Sequence, residues 1–192
     1  QELENGWQRE RPDDWLKFGY PWEMIRPEYT TAVMVYGRVE SVRRARGAPK
    51  PVWVDCQVIE GVPYDIPIIG YGVNTVNFLR LWSSRTSEEF RLDVFNQGDY
   101  VKAMQQENWA EVVTKVLYPS DNTSAGKELR LIQEYFLVSC SLHDLIRRYA
   151  KSHRGWHPFA DKNAIQLNDT HPALAVAELM RIFLDEMNLA WE

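Results

Sequence analysis

Residues 127–149 read KELRLIQEYFLVSCSLHDLIRRY, a helix-forming run that is apolar almost all the way round its central turns. A surface helix keeps one polar face, whereas a helix without one is enclosed by other elements. The fold is therefore built around a buried helix, in a core larger than 192 residues cover comfortably. With 45% hydrophobic and 26% charged residues, disorder is excluded. No apolar run approaches the roughly 18 residues of a membrane span, and the opening QELENGWQRE is too polar for a secretory signal. A net charge of −5 argues against a general nucleic-acid binder, which needs a basic surface. Cys56 and Cys140 lie in apolar runs and read as buried free thiols, which points to a reducing compartment, the cytosol. The chain closes on DEMNLAWE with a helical pattern still running, so a piece of a longer protein is expected.

The elements around that helix are mixed. The first thirty residues, rich in Trp, Pro and charge, read as loops with at most short helices. TAVMVYGRVE and PVWVDCQVIE are β-branched and aromatic, and between them SVRRARGAPK reads as the tip of an antiparallel hairpin, with Arg43, Arg44 and Arg46 solvated there. VPYDIPIIGYG is turn-prone, and a third strand is expected at 75–83. From 98 to 113, Val101, Met104, Asn108 and Val112 recur at helical spacing. YPSDNTSAG is a turn with several N-cap candidates, and 150–162 is a polar connector. Residues 164–167 suit a buried strand, Pro172 suits the first turn of a helix, and Leu174, Ala177, Met180, Leu184 and Met187 give that helix one face. Strand, tight turn and helix make half of a parallel α/β unit, in which ligands bind beyond the carboxyl ends of strands. Asn168, Asp169 and His171 fall at that position.

Three polar groupings carry possible chemistry. Tyr118-Pro119-Ser120-Asp121-Asn122, with Arg130 further on, offers an aromatic face for a sugar ring and side chains for its hydroxyls. Taken alone it is equally a helix-capping turn. Asn168-Asp169-Thr170-His171 divides the same way, between a ligand site and a capped strand-to-helix turn. Arg147 and Arg148 are either a charge complement to a helix C-terminus or an anion site. His153 and His157 have no acidic or Cys partner at metal-site spacing, so no metal is expected. Dinucleotide, NTPase and serine-hydrolase motifs are absent.

These same residues carry a family likeness. YPSDN, GKELRLIQEYF, LIRR and AIQLNDTHPALAVAELMR resemble the α-glucan phosphorylases of glycogen, starch and maltodextrin. PDDWLKFGYPWE, VPYDIPIIGYG, LRLWSS and FNQGDY fit that family in the same order, so the resemblance runs from about Gly6 to Trp191.

The resemblance implies an α/β fold, with this chain a partial N-terminal domain spanning 1–192. That domain would be one of two Rossmann-like halves of a GT-B-type glycosyltransferase, the other half carrying pyridoxal phosphate. It implies reversible phosphorolysis of terminal α-1,4-linked glucose by inorganic phosphate, giving glucose 1-phosphate. Asp121 and Asn122 match the mobile active-site loop, Asn122 being the residue expected to touch the glucose. Tyr118, Arg130, Asp169 and His171 match the glucan channel, and Arg147 and Arg148 match a basic pair that holds effector phosphate in regulated members. Residues 99–113 match a helix that joins the two subunits of a homodimer. Thr123 and Ser120 depart from the family, which has an aromatic residue and Asn there. None of the seven lysines sits in the Schiff-base context, so the piece should be inactive alone. The rival reading is a non-catalytic carbohydrate-binding or scaffold protein that keeps the sugar half of the fold.

Overall fold

The computed structural model describes residues 2–4, 6–9, 20–42, 49–87 and 96–191. It is a mixed α/β structure in which every strand pairing is antiparallel. A short hairpin, β1 (Glu2–Glu4) with β2 (Trp7–Arg9), stands where loops were expected. Strands β3 (Met24–Ile25), β4 (Thr31–Val35), β7 (Gln57–Ile69) and β8 (Val76–Thr86) form the main sheet. β5 (Arg38–Val42) and β6 (Lys50–Val54) form a separate ribbon. Among the described residues the helices α1 (Tyr100–Lys115), α2 (Ser124–Ser152), α3 (Phe159–Lys162) and α4 (Leu174–Arg181) follow.

The expected hairpin is present, bent in the middle. Val35 pairs with Gln57, and Arg38 pairs with Val54 beyond an interruption on each strand. At the bend Tyr36, Gly37 and Asp55 all have φ between 56° and 74°. Gly37 is required there, because a Cβ would run into the Val54 carbonyl. The Trp53 indole donates to the Tyr36 carbonyl across the bend. The tip arginines Arg43, Arg44 and Arg46 lie outside the described residues. At the root of β6, the Lys50 ammonium donates to the Asp185 carbonyl (2.7 Å) and to Asn188 Oδ1 (2.6 Å), fastening the ribbon to the far end of the chain.

The stretch read as turn-prone, VPYDIPIIGYG, is mostly strand. Pro63 and Pro67 are accommodated inside β7 by where their nitrogens face. The Pro63 carbonyl accepts from the Arg26 N–H, so this residue points to the β3–β4 side, in the gap between those two short strands. Pro67, four residues on, faces the same side beyond the end of β3. Neither position needs an N–H donor, which is the condition for proline inside a sheet.

The long helix α2 starts at an N-cap, where the Thr123 hydroxyl accepts from the Gly126 N–H. It is enclosed on two sides, as its sequence demands. Phe136 and Cys140 face the sheet in a core with Val33, Val35, Ile59, Trp82, Ala110 and Val113. Leu142, with Val138 and Ile146, packs on Ala175, Leu179 and Ile182 of the C-terminal segment. Cys140 is fully buried, which pushes its thiol pKa up, while Cys56 is half-buried.

Three expectations change. In α1, Val101 and Val112 face outward, and among its described side chains the buried ones are Ala110 and Val113; small Ala110 joins the core that holds Trp82, a role that counting large apolar residues misses. The side chains of Met104 and Asn108 lie outside the described set. In α4, Ala175 and Glu178 are the buried pair, and Ala177 and Met180 are exposed. Residues 164–167 form no strand and are exposed. A strand needs a neighbour to take its backbone bonds, and no described strand lies beside this one. No helix among the described residues is long and apolar enough to cross a membrane.

Candidate functional site

Gln133, on the inner face of α2, builds the first half of the site. The last carbonyls of a helix have no partner within it, and Gln133 supplies one from outside. Its Nε2 donates to the Val113 carbonyl at 2.7 Å and to the Val116 carbonyl at 2.9 Å, closing the end of α1. Its Oε1 accepts from the Tyr118 N–H at 3.0 Å. One buried amide thereby holds the start of the loop that follows α1. Tyr118 adopts φ 54°, a left-handed conformation unfavourable to a bulky side chain. The loop then lies against the first turn of α2 at Gly126, where a Cβ would meet the Ser120 carbonyl.

The second half is the turn before α4. Asp169, at φ 72°, takes the Thr170 N–H on Oδ1 at 2.6 Å. That bond, and the proximity of His171, hold its carboxyl below the usual aspartate range. Pro172 sits in the 3-10 turn His171–Ala173 that leads into the helix.

Between the halves, five of the six sequence-predicted sugar-side residues converge. The Tyr118 ring lies 5.4 Å from the His171 ring at 54°, and the Arg130 guanidinium carbon is 5.6 Å from the Tyr118 centroid. Arg130 reaches Asp121 Oδ2 at 3.2 Å. Asp169 Oδ2 lies 3.8 Å from His171 Nε2. Tyr118 remains 55% exposed, leaving its ring available to a ligand. Asn122 is exposed on the loop beside them, and no hydrogen bond joins its side chain to another described residue.

The residue that sequence reading missed is Glu134. Its Oε1 lies 3.1 Å from His171 Nδ1 and 3.5 Å from Arg130 Nε. The signal was present as an Arg-to-Glu spacing of four on one helix, hidden in a run read as apolar all round.

A further rung ties α2 to the C-terminal segment below the site. Glu178, 3% exposed, accepts from the Ser139 hydroxyl and from Arg181. Arg181 also pairs with Glu186 at 2.7 Å, and His143 Nε2 lies 3.2 Å from Glu186 Oε2. His143 Nδ1 is 2.8 Å from the Ser139 carbonyl.

Arg147 and Arg148 have different surroundings. Arg147 pairs with Asp144 at 2.6 Å and stands 3.9 Å from the Tyr29 ring centroid. Asp144 also takes Arg80, which makes a two-pronged pair with Asp65 at 2.7 Å. Arg148 is exposed, lining a cleft of about 440 Å³ with His153, Lys162 and Asn163. Among the described residues no cluster has the makings of a metal site.

Chemically, the convergent group offers an open aromatic ring, carboxylates, an imidazole and a guanidinium, with no activated nucleophile among them, a set suited to hydrogen-bonding and stacking rather than to covalent chemistry. A family model described as Carbohydrate phosphorylase matches residues 1–192. The chain is 50% identical over 200 residues to the muscle form of glycogen phosphorylase from Ovis aries. It is 50% identical over 201 residues to the human brain form and 49% identical over 199 residues to the human liver form. In each case the match covers 100% of this chain and 23% of the relative. Matched along its whole length and at about half its positions, the chain belongs to the carbohydrate phosphorylase family.

Proposed function

We propose that this chain is the sugar-side portion of the N-terminal, Rossmann-like domain of an α-1,4-glucan phosphorylase with a GT-B-type fold. The complete enzyme would use inorganic phosphate to release terminal glucose as glucose 1-phosphate. The observation that carries the reading is the meeting of Tyr118, Arg130, Asp121, Asp169 and His171, from segments about 50 residues apart, around one open ring. Tyr118 stacks on the apolar face of a glucose unit, and Asp169, His171 and Arg130 take its hydroxyls. Asp121, held by Arg130, keeps the loop closed, and Asn122 reaches the terminal glucose. These groups orient a sugar and exclude water around it, which is binding and positioning work.

Pyridoxal phosphate supplies proton transfer and charge stabilisation through its phosphate in this family. The described lysines of this chain do not fit it: Lys115, Lys127, Lys151 and Lys162 are exposed, and Lys50 is tied to Asp185 and Asn188. We therefore place its lysine in the part of the protein outside this chain. Arg148, in its cleft, is the better placed of the two arginines for an effector phosphate, with Arg147 behind it. The outward-facing Val101 and Val112 of α1 support a homodimer through 99–113, and we place the protein in the cytoplasm.

The test is release of glucose 1-phosphate from maltoheptaose by the complete protein loaded with pyridoxal phosphate, against an Asn122→Ala variant. Collapse of activity in the variant supports the reading. An inactive complete protein that still binds maltodextrin would replace it with a sugar-binding role.

A further inference from the structure

We infer that Glu134 is the positioning residue of the acceptor channel, fixing both the tautomer of His171 and the reach of Arg130. The inference rests on the reading of Tyr118, Arg130 and His171 as glucan contacts.

His171 is faced by Glu134 from α2, by Asp169 from its own turn, and by Tyr118 from the loop after α1. A carboxylate accepts and never donates, so at 3.1 Å the Glu134 Oε1 requires a proton on His171 Nδ1. In the neutral ring, Nε2 is then a bare acceptor. Its nearest charged neighbour, Asp169 Oδ2, is 3.8 Å away, beyond hydrogen-bond length. Nε2 is therefore left for a hydroxyl proton of a ligand. The same carboxylate lies 3.5 Å from Arg130 Nε, on the guanidinium whose Nη1 reaches Asp121. Glu134 is thus one anion between two cations or near-cations, and both of its partners lean on the Tyr118 ring. Its own position is fixed by α2, which is enclosed on two sides, one residue after the Gln133 clamp. Sugar contacts carried on two loops are in this way referred to a single rigid helix. Removing the Glu134 carboxylate frees the His171 ring to turn over and lets Arg130 swing toward Asp121 alone.

The test uses the complete enzyme with pyridoxal phosphate, assayed in both directions with maltoheptaose as acceptor or substrate. Glu134→Leu should raise the KM for maltoheptaose roughly tenfold, the cost of one charge-assisted hydrogen bond. The KM for glucose 1-phosphate should stay within twofold, because that ligand lies on the phosphate side. Glu134→Gln, which keeps an acceptor for Nδ1–H, should recover most of the loss. The double variant Glu134→Leu with His171→Ala should lose clearly less than the product of the two single losses, since Glu134 acts in part through that ring and only its share through Arg130 remains to be lost. An unchanged maltoheptaose KM in Glu134→Leu would overturn the inference, and so would an equal loss for both ligands that Gln does not rescue. His171→Ala and Tyr118→Ala report on the underlying reading. If they leave maltoheptaose affinity intact, the channel assignment itself fails; if they weaken it while Glu134→Leu does not, this inference alone falls.

Discussion

Replacing Gln133 by Leu separates the anchoring of the site loop from its chemistry. Gln133 is 2% exposed and its amide makes three bonds, to the Val113 and Val116 carbonyls and from the Tyr118 N–H. Leu fills a similar space and makes none of them. The Val113 residue is fully buried, so its carbonyl is left without a partner, at about 1–3 kcal/mol. Val116 and Tyr118 are 63% and 55% exposed, so water replaces much of their two bonds, at about 0.5 kcal/mol each. Apolar burial of the Leu side chain offsets about 1 kcal/mol. The local opening of residues 116–122 should therefore become easier by about 1–3 kcal/mol, or roughly 5- to 150-fold at about 1.4 kcal/mol per decade. Hydrogen exchange of peptides covering Tyr118 in the complete protein reads this directly, because backbone amides report local opening. Gln133→Glu should do worse than Leu, since its carboxylate faces two carbonyl oxygens that can donate nothing. Equal protection in the Leu variant and the parent, or a Glu variant as protected as Gln, would show that this amide does not hold the loop.

Gly126→Ala should dissociate stability from binding: Ala favours the helix by about 1 kcal/mol, yet its Cβ displaces the Ser120 carbonyl, so denaturant midpoints should hold while maltodextrin affinity falls several-fold. His143 faces oxygen acceptors at both ring nitrogens, and despite its burial the Glu186 and Ser139 bonds raise its pKa above 6.5. Glu186 is correspondingly held below 4.5 by His143 and Arg181. The His143 contribution is complete below pH 6.5 and lost as pH rises through the raised value. That of Glu186 is present above 4.5 and lost as pH falls through the lowered one. Unfolding measured across pH should show His143→Gln flattening the alkaline side of the profile, and an unchanged slope would contradict the assignment. Arg80→Met leaves Asp65 without its fork and Asp144 with Arg147 alone, both carboxylates under 10% exposed. A loss of about 3–5 kcal/mol is expected, little altered by 1 M salt because the pair is shielded from solvent; denaturation at two salt concentrations checks both.

The antiparallel hairpin, though not its bend, the third strand and the enclosed helix were readable because they rest on local periodicity and on length. Residues 127–149 announced enclosure, and α2 is enclosed on both flanks. The errors come from interactions between distant residues. Pro63 and Pro67 look like turn formers until the pairing of β7 shows their nitrogens facing gaps. The inner face of α4 was misread because Glu178 counts as polar, while its partners Ser139 and Arg181 make it a buried residue. Residues 164–167 have the composition of a strand and no neighbour to pair with. At the site, Tyr118, Arg130, Asp169 and His171 were found by motif and are brought together by the fold. Glu134 and Gln133 were not: the Arg130–Glu134 spacing of four marks an ion pair on one helix, and nothing local shows that Glu134 or Gln133 also reaches across to another segment.

The Lys50 anchor has a consequence for synthesis. Its partners Asp185 and Asn188 follow it by 135 and 138 residues. At about 5–20 residues per second on the ribosome, Lys50 waits on the order of ten seconds before the carbonyl it holds exists. Throughout that interval the β5–β6 ribbon has formed its own ladder but carries an unsecured end, with strand edges open to any passing chain. The nascent protein is most in need of a chaperone during that delay, and the need ends when the segment after α4 arrives and closes over the ribbon.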